Sequence, residues 1–213
     1  MLRRTLTTFG LVGATALAAC SDAATEPSTA SAVEASAQRT AGRGAPAPGS
    51  ASIATVATEA GFSELVGALA YVDAELDAGL VDLFLAGTSQ HTVFAPTNEA
   101  FERLYGLLSG VLGVEIDEIT DIPAPVVLDV LRYHVTPGRR AANSVVPPRG
   151  ERAITPLLHE TFGVRMDASI RDGLTGLRTD ASIVTANIPA SNGVIHVIDA
   201  VIVPPSVVAA LTQ

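Results

Sequence analysis

The segment Val194-Ile-His-Val-Ile-Asp-Ala-Val-Ile-Val-Pro204 constrains the fold more than any other. Successive side chains of a strand point to opposite faces, and here both faces are largely apolar. That pattern predicts a strand buried on both sides. Asn192-Gly193 stands immediately before it, and Ile183 to Ile188, a second β-rich run, stands before that. This order predicts a hairpin with positive φ in the Asn-Gly turn and Ile183 to Ile188 as the partner strand.

Upstream the apolar period is helical. Ser52 is placed to cap a helix through Val56 and Ala60 that stops near Gly61. Ser63 is placed to cap a second, with Leu65, Val66, Leu69 and Val72 at helical spacing. A third runs from Gly79 to Leu85 and ends at Gly87. His91 to Pro96 then reads as a short strand with a proline stop. Thr97 caps the next helix, Glu99 suits its positive end, and Phe101, Leu104, Tyr105 and Leu108 form its apolar stripe. Pro123 and Pro125 open another helix, carrying Val127, Leu128, Val130, Leu131 and Tyr133-His134, which Pro137-Gly138 ends. From Ala141 onwards the chain reads mostly as short strands. Helices first and strands last point to a segregated α+β domain over residues 51–206, with 207–213 as a C-terminal tail.

Composition excludes several functions. All 13 basic residues are Arg, and against 22 acids they leave a net charge of −9. Such a chain is repelled by phosphate backbones, so general nucleic-acid binding is excluded. Aromatics are 4% of residues and Trp is absent, which argues against a stacking platform for sugars or bases. Cys20 is the sole cysteine, which rules out an intrachain disulfide, a Cys-based zinc cluster and c-type haem.

That cysteine lies at the end of an apolar run. Arg3 and Arg4 form a basic start, and Leu6 to Ala19 carries no charge. The run is shorter than the roughly 20 residues a spanning helix needs, and it reads as an export signal. Leu17-Ala18-Ala19-Cys20 resembles the lipobox of bacterial lipoproteins. The resemblance implies removal of residues 1–19 and acylation of Cys20. An ordinary secretory signal is the alternative, and would leave the protein secreted. Ser21, rather than Asp, after the cysteine implies outer-membrane delivery where two membranes exist. Residues 20–50 then form a tether in which Val33 is the only large aliphatic side chain. Such a segment buries too little apolar surface to order itself, and as a coil it spans roughly 30 Å. Without residues 1–19 the chain has 11 basic and 22 acidic residues, a net of −11, so lipid rather than charge must do the anchoring.

Three motifs within the folded part carry a resemblance. His91-Thr-Val-Phe-Ala-Pro-Thr-Asn-Glu-Ala-Phe101 resembles the first signature of the fasciclin (FAS1) domain. Leu131-Arg-Tyr-His-Val135 resembles its Tyr-His motif, and Ala190-Ser-Asn-Gly-Val-Ile-His-Val-Ile-Asp-Ala-Val-Ile-Val-Pro204 its second signature. The resemblance covers roughly residues 51–206. It implies a wedge-like β-sandwich of about seven strands with helices packed alongside, extracytoplasmic display, and adhesion or partner binding rather than catalysis. In animal matrix members an Asp-Ile pair before the second signature is linked to integrin binding. Here the aligned pair is Asn187-Ile188, so the carboxylate for a receptor-held metal is missing. The resemblance leaves Tyr133, His134, Asn187 and Ile188 as candidate partner contacts. Thr97, His134, Asn192, Gly193 and His196 are expected to hold the fold.

The residues themselves point to no catalytic centre. The four histidines, His91, His134, His159 and His196, match no metalloprotease spacing, and no nucleophile elbow, P-loop or dinucleotide fingerprint occurs. Glu115, Asp117, Glu118 and Asp121 lack the glycine and alternating oxygen ligands of an EF-hand and read as a solvated face. No metal and no cofactor are expected. The expectation is an envelope lipoprotein binding an envelope or matrix protein or a polysaccharide. The alternative is an enzyme or a carrier of a small hydrophobic ligand, using a pocket in the β-wedge.

Overall fold

The computed structural model describes residues 47–172 and 180–211. The signal segment, Cys20 and most of the tether lie outside these residues. Hydroxyl caps start two of the helices. Ser52 Oγ accepts from Thr55 N–H at the head of α1 (Ile53–Glu59). Helix α2 (Ser63–Leu76) differs from expectation: Ser63 is its first residue, Phe62 is the N-cap, and no hydroxyl caps it. The free N–H of Glu64 is met instead by Asn98 Oδ1, and Asn98 Nδ2 donates to Gly61 O. Helix α3 (Leu80–Leu85) is likewise capped from a distance, because Leu80 and Val81 N–H both donate to the Asp73 carboxylate. After strand β1 (His91–Pro96), Thr97 Oγ1 accepts from Ala100 N–H and starts α4 (Asn98–Leu112). A 3-10 turn at Ile119–Asp121 precedes α5 (Ala124–Tyr133).

The chain then turns sooner than the sequence predicts. Helix α5 ends at Tyr133, and Val135–Pro137 forms strand β2 against β1. Pro137 therefore ends a strand, because pairing with Thr92 and Val93 outweighs the helical period of the preceding residues. Short helix α6 (Ala142–Val145) leads to β3 (Glu151–Ile154), β4 (Phe162–Arg165), β5 (Ser169–Arg171), β6 (Ala181–Ala190) and β7 (Gly193–Ile198). The last strand stops at Ile198, so Asp199–Pro204 is not part of it. Residues Pro205–Leu211 form helix α7, in which Val207, the first residue of the expected C-terminal tail, is buried. At the other end, Gly49 N–H donates to Ala190 O and Ser191 N–H to Ala51 O, which pins residues 49–51 to the domain.

The seven strands form one mixed sheet in the order β2-β1-β7-β6-β5-β4-β3. Only β1 and β7 are parallel; the other neighbours are antiparallel. Register shifts in β6, with Asn187 at φ 64°, bend the sheet. The bend is deep: three strands lie between β1, which carries Phe94, and β4, which carries Phe162, yet their rings lie 5.2 Å apart. Two cores result, as alternation along β1 requires. Val93 and Ala95 face the helices with Ile195 and Val197, while Phe94 faces inward with Tyr133, Ile154, Phe162 and Ile198. This is the α+β wedge with helices alongside, closed as a continuous bent sheet. Strand β7 is buried at every residue.

The Asn-Gly pair works differently from expectation. Ser191 and Asn192 form the two-residue connection, closed by the Ala190–Gly193 pair, and neither Asn192 nor Gly193 has positive φ. Space is what demands glycine. A Cβ on Gly193 would lie 2.1 Å from His91 O and 2.7 Å from Ile53 Cδ1. Asn192 is buried and reaches outward, with Oδ1 accepting from Ile53 N–H at 2.8 Å and Nδ2 donating to Phe84 O at 2.9 Å. Gly193→Ala is therefore expected to cost about 1–3 kcal/mol by forcing β1 and β7 apart. Asn192→Ala should cost a similar amount, on the order of 1–3 kcal/mol, by orphaning two buried backbone groups. Urea midpoints check both. A parent-like midpoint for Gly193→Ala would show that the strands do not approach this closely.

Candidate functional site

The second FAS1-like signature places His196 at the centre of β7, fully buried between the two cores. Its Nδ1 accepts from Asn187 N–H at 3.3 Å, and its Nε2–H donates to Arg140 O at 3.0 Å. Asn187 in turn sits at the bulge of β6, where its Oδ1 accepts from Ala142 N–H at the start of α6. The ring thus bridges β6 to the segment after β2. His134, at the end of α5, is arranged the same way with the nitrogens exchanged. Its Nδ1–H donates to Val130 O at 2.7 Å, and its Nε2 accepts from Ile202 N–H at 3.1 Å. It ties α5 to the segment leading into α7.

Both arrangements require a neutral imidazole. Each ring uses one nitrogen as donor and the other as acceptor, and a second proton would face a backbone N–H. Burial lowers the pKa of His134 to about 4, against a smaller upward pull from its bond to Val130 O. The pKa of His196 is likewise lowered to about 4 by burial, opposed by its bond to Arg140 O. These two rings are spent on holding backbone.

The four candidate partner contacts are all inside. Tyr133, His134, Asn187 and Ile188 are buried, and Tyr133 OH donates to Thr161 O at 3.3 Å. Tyr133 and His134 lie at the end of α5, and Asn187 and Ile188 lie where β6 shifts register. The histidines do not converge. His91 packs edge-on against Phe84 beside the hairpin, and His159 sits exposed in a turn with φ 66°. Among the described residues, no group of three or more His, Cys, Asp or Glu side chains could hold a metal ion. Arg139, a residue that sequence reading passes over, donates to Ala190 O, Gly193 O and Ala47 O. Those carbonyls come from the β6–β7 hairpin and from the segment before α1, both more than 50 positions away, so no local pattern marks it.

An open cavity of about 120 Å³ does exist, in the helical layer rather than the β-wedge. It lies between α2, α4, α5 and the segment joining the last two, with Leu65, Leu104, Leu108, Ile119, Val126 and Val130 on its wall. The polar side chains on that wall are Asp121, which is exposed, and His134, both of whose nitrogens are already bonded. Inside the wedge, Phe94, Tyr133 and Phe162 pack edge to face. Glu115, Asp117, Glu118 and Asp121 are exposed, as expected of a solvated face; Asp121 stands on the wall of this cavity, and the other three lie in the same segment as its lining residues Val114, Ile116 and Ile119.

The histidine geometry has a pH consequence. In the folded chain both rings stay neutral, while in the unfolded chain they take up protons below about 6.5. Their contribution to stability is therefore complete above about pH 6.5 and is lost as pH falls towards 4. Each ring accounts for on the order of 3 kcal/mol over that range. By NMR, the ring carbon-bound protons of His134 and His196 should not titrate above pH 5. Titration of either near pH 6.5 in the folded protein would contradict the buried, neutral assignment.

Comparison with known proteins closes the assignment. The Fasciclin domain family matches residues 60–204, from the end of α1 to the residue before α7. Protein sll1483 of Synechocystis sp. is 37% identical over 145 residues, 68% of this chain and 68% of that protein. The transforming growth factor-beta-induced protein ig-h3 of Sus scrofa is 31% identical over 146 residues, 68% of this chain but only 18% of that protein. Among solved structures, a FAS1 domain pair from the insect cell adhesion molecule Fasciclin I aligns over 66% of this chain and 45% of its own, at 18% identity and a TM-score of 0.44. The family match spans the three sequence motifs and the whole of the bent sheet, and the chain belongs to the fasciclin (FAS1) domain family.

Proposed function

We propose that this chain is a lipid-anchored FAS1 module that binds a partner at the cell envelope and performs no catalysis. The observation that carries the reading is how the buried polar side chains are used. His134, His196, Asn187 and Asn192 each bond to main-chain groups of distant segments, so the polar chemistry of these motif residues is consumed by the fold. A rigid scaffold with nothing reactive inside suits surface recognition. FAS1 domains occur in cell-adhesion proteins, which supports an adhesion-like role. The partner is an envelope or matrix protein or a polysaccharide. A carrier of small ligands is less well supported, because the apolar cavity lacks the convergent polar groups that orient a small molecule.

Anchoring rests on Cys20. Acyl chains there would hold the domain stably, and residues 21–46 would let it range from the surface. Among the described residues no helix is long and apolar enough to cross a membrane. The wild-type chain should be cleaved behind Ala19, label with radioactive palmitate and pellet with membranes. Cys20→Ser should be neither labelled nor processed at that site. Equal labelling and equal size of the two proteins would overturn the lipoprotein reading. For binding, beads bearing the mature domain should be retained on immobilised envelope material at least threefold better than beads bearing the unfolded chain. Equal retention would remove the adhesion reading.

A further inference from the structure

The helical-layer cavity is a space that the fold leaves unfilled. Its volume, about 120 Å³, is close to that of engineered protein cavities of about 150 Å³ that take up benzene. It therefore accommodates one phenyl- or isobutyl-sized group and not a large ligand. Apolar side chains continue outward from it. Val114 and Leu112, both on its wall, are 57% and 37% exposed, and Val111 beside them is 42% exposed. Large apolar groups left in water next to an apolar hollow mark a surface that gains from being covered.

Charge decides what covers it. Between Gly113 and Ile122 the chain carries Glu115, Asp117, Glu118 and Asp121 and no basic residue. Asp121 accepts from the N–H groups of Asp117 and Glu118, and those bonds hold its carboxyl below the usual range, so it is charged. An anionic lipid surface or a fatty-acid head group is repelled by this rim, whereas Lys or Arg is attracted.

Position agrees with recognition at a distance. The tether enters beside the hairpin, where Arg139 bonds to Ala47 O and Gly49 bonds to Ala190 O. The cavity wall includes Pro96, at the far end of β1 from His91, which pairs with Gly193. A six-residue strand of roughly 20 Å separates the two ends. The cavity is thus set apart from the point of attachment.

We infer that this cavity is the docking site for a single apolar side chain, Phe or Leu in size, carried on a Lys- or Arg-rich peptide segment of a partner protein. The inference rests on the binding-module reading and names the surface and the partner chemistry. The side chain fills the hollow, its backbone lies on Leu112 and Val114, and the flanking cations meet the acids of residues 115–121.

Three labelled nonapeptides test it against the full chain in zwitterionic nanodiscs, with empty nanodiscs as the blank. One has a central Phe flanked by lysines, one has Ala for the Phe, and one has Glu for every Lys. The Phe-Lys peptide should bind at least tenfold tighter than either of the others, and its advantage over the Phe-Glu peptide should shrink in 0.5 M salt. Val126→Phe, which fills the hollow from its wall, should weaken that peptide at least tenfold. Should that variant melt early, the exposed double substitution Glu115→Gln with Asp117→Asn provides the second test, with at least a threefold loss at low salt only. Equal binding of the Phe-Lys and Ala-Lys peptides, equal binding of the Phe-Lys and Phe-Glu peptides, or no binding by any peptide overturns the inference. Displacement of the Phe-Lys peptide by an uncharged twelve-carbon alcohol with no rim dependence reassigns the cavity to a free apolar ligand and overturns it too, as does self-association lost in Val114→Ser. If the peptides fail while domain-bearing beads still adhere, the cavity assignment falls and the binding-module reading stands. If the peptide binds as expected but the beads do not adhere, the module reading falls instead.

Discussion

Strand β7 is buried along its whole length, so every polar group it carries must be satisfied from within the protein. Its backbone pairs with β1 on one side and β6 on the other. Its one polar ring, His196, must bond at both nitrogens while remaining uncharged. These demands propagate. The close parallel approach to β1 leaves no room for a side chain at Gly193. The bond to Asn187 N–H holds the bulge of β6, and the bulge lets the sheet fold back until Phe94 meets Phe162. Both cores are built around this strand.

The same constraint acts elsewhere in the interior. Inside, histidine and asparagine side chains replace missing main-chain partners at bulges, helix ends and segment crossings. A net hydrogen bond contributes about 1 kcal/mol, but an orphaned buried group costs more, which is why these polar residues sit where regular secondary structure is interrupted. Outside, the helical layer is less completely packed. Its open cavity is lined almost wholly by apolar side chains, with the bridging ring of His134 on its wall and Asp121 at its edge. Motif residues contribute to that cavity as well as to the fold, since Pro96, Phe101, Leu131, His134 and Val203 stand on its wall. The Tyr133-His134 and Asn187-Ile188 pairs are buried in the fold.

Capping and period were readable locally. Ser52 and Thr97 cap the helices that follow them because a hydroxyl two or three residues away is a local matter. The stripe Phe101, Leu104, Tyr105 and Leu108 is buried as its spacing implies. Burial of β7 on both faces follows from its apolar alternation. Ser63 is not a cap because the helix begins one residue earlier, at the Phe62 N-cap, and Asn98, 34 residues on, meets the free Glu64 N–H. The helix expected to run up to Pro137 gave way to β2 because an edge pairing with β1 was available there.

The sequence by itself determined the α+β class, the main helices before Tyr133, the strands at His91–Pro96 and after Asn192, the family motifs and the acidic, lysine-free composition, since each depends on residue identity or on spacing within a few positions. Tertiary structure alone decided why Gly193 must be glycine, which nitrogen of each buried histidine carries its proton, and what Arg139 holds. It also decided that the open cavity lies among helices while aromatic rings close the wedge. These depend on distances between segments 40 to 140 positions apart, such as Ile53 and Asn192, separated by 139. Local propensity carries no term for such distances; they are set when the sheet closes and the two cores pack.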